Sequence, residues 1–186
     1  MTEASAAARA PRTAMVLAAG YGKRMRPLTD HRPKPLVELM GRPLIDRILD
    51  RLDAAGIERV VVNVHHLADQ LERHLSKRRR PKVEISREEE APLDTGAGVL
   101  NALDQLADEQ FYVLNGDVFW LDGCTPALER LARQWDPERM DALLLLNATA
   151  DAIGYAGTGD FQMDISGLAR RRQEFEVAPF AFAGVQ

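Results

Sequence analysis

Arg24 and Lys34 are the side chains whose type and setting point most directly to chemistry. They lie on a loop that leaves the apolar run Ala14–Ala19, passes Gly20 and Gly22, and then delivers Lys23, Arg24, Arg26, Arg32 and Lys34. Glycine lets backbone N–H groups come close to a ligand. Arginine adds a planar fork for anionic oxygens, and lysine a compact point charge. Pro27, Pro33, Pro35 and, further on, Pro43 fix φ and reduce what the loop loses on ordering. A ligand with several anionic oxygens, such as a polyphosphate, suits a stiff loop of this kind.

Three kinds of glycine loop compete. A dinucleotide fingerprint needs G-x-G-x-x-G running straight into a helix. Here Met25 stands at the third glycine position, Pro27 follows, and the next helix starts near Pro43. A Walker loop needs G-x-x-x-x-G-K-[ST]; Gly22-Lys23 is followed by Arg24, and no glycine stands five positions earlier. The third reading, a long proline-stiffened phosphate wrap, fits the residues.

The elements that must position this loop read as alternating strands and helices. Leu44, Ile45, Ile48, Leu49 and Leu52 recur at helical spacing up to Gly56. "ERVVVNV" is the next strand, and Leu67, Leu71 and Leu75 mark a short helix. "KVEIS" is a strand, with a helix through Val99, Leu100, Leu103 and Leu106. "FYVLNGD" is a strand, Leu128, Leu131 and Trp135 mark a helix, and "DALLLLNA" is again a strand. The alternation predicts an α/β fold, Rossmann-like, with a mixed, mainly parallel sheet flanked by helices. After Asn147 the pattern changes: "GDFQMDI" and "APFAFAGV" are strands separated by loop. The expected organisation is a disordered lead-in over 1–13 and one domain over 14–186. Within it, 14–148 forms the main α/β part and 149–186 a sugar- or lid-type extension.

Composition narrows the function. The 24 basic residues are outnumbered by 28 acidic ones, giving a formal net charge of -4, so an anion site must be local. The densest basic run, "KRRRPK" at Lys77–Lys82, has no interleaved aromatics and is followed by "REEEA". It reads as a solvated loop, and no nucleic-acid partner is expected. No apolar run reaches membrane-spanning length and the N-terminus has no signal-like core, so the expected location is the cytoplasm, without membrane contact. A single cysteine, Cys124, fits a reducing compartment and reads as a loop residue.

The stretch "LAAGYGKRMRPLT", Leu17–Thr29, resembles the signature of the sugar nucleotidyltransferases, and "PKPL", Pro33–Leu36, resembles their second signature. "NGD", Asn115–Asp117, is similar to their strand-end metal motif. "PLDTGAGVL", Pro92–Leu100, and "GTGDF", Gly157–Phe161, are most similar to the group that makes UDP-N-acetylmuramic acid. Mannose-1-phosphate guanylyltransferases are close neighbours. The resemblance implies the nucleotide-diphospho-sugar transferase fold, with 14–148 as its nucleotide-binding part and 149–186 as its sugar side. It also implies transfer of a nucleotidyl group from a nucleoside triphosphate, UTP by this likeness, to a sugar 1-phosphate with release of pyrophosphate, in cell-wall recycling. A nucleotide-binding regulatory protein without turnover is the reading from another class.

By the same resemblance, Leu17, Ala18, Ala19 and Gly20 give backbone contacts to the nucleotide, and Gly22, Lys23 and Arg24 wrap the outer phosphates. Lys34 neutralises the α-phosphate or the sugar phosphate, and Asp117 holds Mg²⁺ between phosphate oxygens. Thr95 and Gly96 approach the base, while Asn115 and Gly157 serve the sugar side. Arg24, Lys34 and Asp117 form the catalytic set. Either Asp94 or Thr95 also suits a helix N-cap. Asn63 and His65 share the rim without a catalytic role, and Asp122 reads as a turn residue. Phe161, Trp120 and Trp135 read as core. The resemblance further implies a second metal-binding aspartate near the end of the catalytic domain. The sequence ends at "AFAGVQ", inside an expected apolar edge strand and before that element, so the metal site and sugar pocket are expected to be incomplete.

Overall fold

The computed structural model describes residues 10–106, 110–152 and 155–186. In chain order the strands are β1 (Thr13–Leu17), β2 (Glu38–Leu39), β3 (Arg42–Pro43), β4 (Arg59–Val64), β5 (Lys82–Arg87), β6 (Tyr112–Asn115), β7 (Leu146–Ala148), β8 (Phe161–Met163), β9 (Ala169–Arg171) and β10 (Phe180–Phe182). The helices are α1 (Leu44–Ala54), α2 (Ala68–Leu75), α3 (Thr95–Asn101), α4 (Leu103–Leu106) and α5 (Ala127–Gln134). Thr13 is therefore strand, and Arg12 already accepts backbone hydrogen bonds from Glu58 and Arg59. Residues 1–9 of the expected lead-in lie outside the described residues.

Four parallel strands lie in the order β5-β4-β1-β6. The chain moves from β1 outward through β4 to β5, then returns to the other side of β1 as β6. The strand order thus reverses between β1 and β6, where open α/β sheets hold ligands beyond the strand ends. Strand alternation feeds both faces. Ala14 and Val16 join one cluster with Ile45, Ile48 and Leu49 of α1, Leu71 of α2 and Leu128 of α5. Met15, Val61 and Val113 face the other way against Ala102 and Leu106. Parallel strands buried on both faces read as near-continuous apolar runs, as "TAMVL" and "VVV" do.

The second half departs from the expected pattern in detail. Asp141–Ala148 forms only the short strand β7, which joins the antiparallel set β7-β10-β8-β9. This set continues the parallel sheet. Val113 and Gln186 exchange backbone hydrogen bonds at 2.8 and 3.0 Å, the Asn115 amide donates to Gly184, and Leu145 exchanges with Ala183 and Val185. The segment after β10 thus runs antiparallel to β6, which makes the whole sheet mixed. Val185 is fully buried there, so the apolar end strand is an interior one and not the exposed edge its sequence suggested.

Three helical expectations shift. Leu67 precedes α2 in a left-handed conformation instead of opening the helix. The helix expected through Val99–Leu106 breaks at Ala102 into α3 and α4; Leu106 is buried but Leu100 is 71% exposed. Trp135 caps α5 in extended conformation. The β2–β3 hairpin, built around Met40 and Gly41 at positive φ, was not anticipated, although Gly41 is a turn signal.

Candidate active site

The register of the parallel sheet assembles the site. Leu17 at the end of β1 stands opposite Asn63 of β4 on one side and Asn115 of β6 on the other. Beyond these strand ends lies a cleft of about 350 Å³. It is lined by Leu17, Ala18, Ala19, Gly20, Arg24, Lys34, Pro35, Asn63, Leu93, Asp94, Thr95, Asn115, Gly116 and Asp117. A second cavity of about 270 Å³, between Pro11, Phe111, Leu131 and Trp135, has no lysine or arginine in its lining and does not suit a polyphosphate.

The glycine loop is not followed by an α-helix. It makes two single 3-10 turns, Lys23–Met25 and Lys34–Leu36, with Pro33 capping the second and Pro35 buried inside it. Gly22 has φ 63°, and a Cβ there would lie 3.0 Å from Thr29 Cγ2 and 3.1 Å from Lys34 Cβ. The buried Thr29 hydroxyl donates to the Gly22 carbonyl at 2.9 Å. The loop therefore folds back on itself, and this brings Arg24 and Lys34 to the same cleft.

Its cations have different partners. Arg26 pairs with Asp30, Arg32 with Glu38, and Lys34 with Asp117. Lys23 lies over the Tyr21 ring at 5.2 Å. Arg24 is exposed at the cleft and has no ion pair among the described residues. A guanidinium without a carboxylate partner at a cleft is available to an incoming anion.

Asp117 reaches the cleft because Gly116 lets β6 close on β1. The Gly116 amide donates to the Leu17 carbonyl at 2.8 Å, and a Cβ on Gly116 would sit 2.6 Å from that same oxygen. Among the described residues no group of three or more His, Cys, Asp or Glu could hold a metal. Asp117 offers one carboxylate, and magnesium is commonly held by one or two carboxylates together with substrate phosphates. The donor set fits a metal that arrives with a triphosphate, which Asp117 would hold beside Lys34.

Most of the expected residues meet in the cleft: Leu17, Ala18, Ala19, Gly20, Arg24, Lys34, Thr95, Asn115 and Asp117 all line it. Gly22 and Lys23 shape the loop behind it. Gly96 follows Thr95 on α3 but does not line the cleft. Gly157 does not line the cleft; a Cβ on it would lie 2.5 Å from the Tyr155 hydroxyl oxygen and 2.6 Å from Cζ of that ring. The reason is local. The Gly159 amide donates to the Tyr155 hydroxyl, closing this loop on itself. Asp94 is the N-cap of α3, accepting from the Ala97 amide at 3.2 Å, which leaves Thr95 for the cleft.

Asp122 is structural, as expected: it pairs with Arg51 and accepts from Trp120 Nε1 and the Ala127 amide. Trp120 is partly buried against the core under the Arg51 guanidinium. Cys124 is an exposed free thiol. His65 bonds the Glu88 carbonyl through Nδ1 at 2.8 Å. Glu88 itself, 4% exposed directly behind the cleft wall, had no signal in the sequence, where it reads as part of an acidic surface run.

Fold and cleft together define a class: an α/β protein with a polyphosphate-type site at the reversal point of its sheet. The model of the Nucleotidyl transferase family matches residues 13–160. The chain belongs to that family. It is 46% identical over 180 residues to the N-acetylmuramate alpha-1-phosphate uridylyltransferase of Caulobacter vibrioides, covering 95% of this chain and 74% of that protein. The protein of the same name from Neisseria meningitidis is 42% identical over 135 residues, covering 72% of this chain and 58% of that protein. Among solved structures, a UTP-bound UGPase from Acinetobacter baumannii superposes with a TM-score of 0.71 at 20% identity, over 94% of this chain and 73% of that one. At that identity the likeness shows the fold.

Proposed function

We propose that this chain transfers a uridylyl group from UTP to N-acetylmuramate α-1-phosphate, releasing pyrophosphate, in the cytoplasm and as a step of cell-wall recycling. The likeness to the Caulobacter relative supports the choice of substrates. The observation that carries the chemistry is the unpaired Arg24 facing Lys34 and Asp117 across the β1–β6 crevice.

In this reading an anionic oxygen of the sugar phosphate attacks the α-phosphorus, and the bond to the β-phosphate oxygen breaks as pyrophosphate leaves. The nucleophile is already ionised, so the protein's work is positioning and charge stabilisation. The backbone from Leu17 to Gly20 and the Thr95 side receive the nucleotide. Arg24 and the Gly22–Lys23 turn hold the outgoing phosphates, Lys34 neutralises the oxygens that meet, and Asn115 faces the sugar phosphate. Asp117 would hold magnesium, which would supply charge neutralisation at the phosphate oxygens.

The test is a matrix of UTP and GTP against N-acetylmuramate 1-phosphate, mannose 1-phosphate and glucose 1-phosphate, read as pyrophosphate release with Mg²⁺. Release with UTP and N-acetylmuramate 1-phosphate is expected. Preference for GTP and mannose 1-phosphate would replace this reading with a guanylyltransferase. Tight nucleotide binding with no release from any pair would replace it with a regulatory nucleotide-binding protein.

A further inference from the structure

Behind the cleft wall lies a buried relay of polar groups that the chemistry above does not use. The Ala18 amide donates to Asn63 Oδ1 at 2.6 Å. Asn63 Nδ2 donates to Glu88 Oε1 at 2.8 Å, and the Leu93 amide donates to Glu88 Oε2 at 2.7 Å. Asn63 is 3% exposed and Glu88 4%. Gly98 of α3 packs so closely on the pair that a Cβ there would lie 3.0 Å from Asn63 Nδ2 and 3.2 Å from Glu88 Oε1.

The ends of this relay lie on two sides of the cleft. Ala18 belongs to the loop that receives the phosphates, and Leu93 to the segment that leads into Thr95; both line the cleft, as does Asn63, whereas Glu88 does not. We infer that Glu88 is a positioning residue: it fixes the Asn63 amide so that Asn63 holds the Ala18 N–H, and it anchors Leu93, thereby setting the width of the nucleotide slot. This rests on the cleft's being that slot, as proposed above.

The direction of the hydrogen bonds makes the carboxylate essential. Glu88 faces two donors, one on each oxygen. A glutamine there satisfies only one of them and sets its own NH₂ against the other. Turning Asn63 over does not help, because its NH₂ then faces the Ala18 N–H. A buried donor left without an acceptor is costly. Exchanging the two residue types restores every bond. In Asn63→Asp with Glu88→Gln, the new aspartate accepts from Ala18 and from the glutamine NH₂, and the glutamine oxygen accepts from Leu93. One carboxylate remains in the relay, as before.

The experiment compares the wild type, Glu88→Gln and the double exchange Asn63→Asp/Glu88→Gln. Amide hydrogen exchange is read at Ala18 and Leu93, and UTP affinity with Mg²⁺ is read by calorimetry. Glu88→Gln is expected to speed exchange at one or both amides and to weaken UTP binding about tenfold. The double exchange is expected to restore both. Wild-type exchange and affinity in Glu88→Gln would overturn the inference. So would a folded double exchange whose amides and affinity stay impaired. If Glu88→Gln does not fold, the double exchange alone decides by the same two readouts. A wild-type protein that binds no UTP defeats the functional reading, while the exchange data still judge the relay.

Discussion

Two segments of this molecule carry dense positive charge, and the fold treats them differently. In Lys77–Lys82 three of the five cations meet carboxylates, Arg78 with Asp50, Arg80 with Asp53 and Lys82 with Glu84, while Lys77 and Arg79 are exposed to solvent without an ion pair among the described residues. Asp50 and Asp53 both belong to α1, so this run closes the outside of the fold. In the loop after β1, Arg26 and Arg32 are held in the same way, but Arg24 is left open at the cleft and Lys34 pairs with Asp117 inside it. Charge density alone therefore says little. What separates a site from a solvated surface is whether an unpaired cation faces a cavity, as Arg24 does, or open solvent, as Lys77 and Arg79 do.

This contrast breaks first at Arg24. Arg24→Ala is expected to slow pyrophosphate release on the order of 10²-fold or more, because a preorganised charge is lost where charge develops. Turnover of the wild-type order in that variant would remove Arg24 from the site. Asp117→Asn is expected to lower turnover by a similar factor of about 10² and to weaken its dependence on magnesium concentration, since the acid opposite Lys34 is gone; unchanged kinetics would show the pair to be a surface bridge like those at Lys77–Lys82. Gly116→Ala tests the approach that brings Asp117 to the cleft. The new Cβ meets the Leu17 carbonyl, and chemical denaturation should show a loss of about 1–3 kcal/mol, together with weaker nucleotide binding. Arg78→Ala, on the basic run, should cost no more than about 1 kcal/mol in the same assay and leave turnover alone. A turnover defect there would erase the distinction between the two segments.

The smallest expected effect concerns a paired cation outside both segments, Arg170. A hydrogen bond from Arg170, aided by the Gln173 amide, holds the Glu176 carboxyl down to about 2. Because the folded value lies below the ordinary one, this contribution is present above the usual carboxylate range and is lost only as pH falls through about 2. An NMR titration of Glu176 should therefore stay flat through pH 4, and Arg170→Met should raise it toward the ordinary range, with the Gln173 amide still holding it down in part.

Parts of this site were legible because they depend on local physics. Prolines and glycines specify a stiff loop whatever surrounds it, and an apolar run ending in "NG" specifies a strand that stops with an exposed carboxylate. The strands of the parallel sheet and helices α1, α2 and α5 follow from periodicity for the same reason. The break at Ala102, the short β7 and the burial of the end strand were not legible, because each depends on which segment lies beside it. The packing of Gly157 against Tyr155 was illegible on the same ground, because no spacing rule encodes that contact.

The sequence by itself determined the strands of the parallel sheet, most of their covering helices, the loop chemistry and the family, since these reside in dihedral preference, hydrophobic period and the order of side chains along one segment. Only the tertiary structure decided which unpaired cation faces the cleft, that Gly116 lets β6 close on β1, and that Glu88 turns inward to hold Asn63 and Leu93. Those are properties of pairs of residues brought together from distant segments. A hydrogen bond or an ion pair exists only once both partners are in place, so its presence cannot be read from either partner alone.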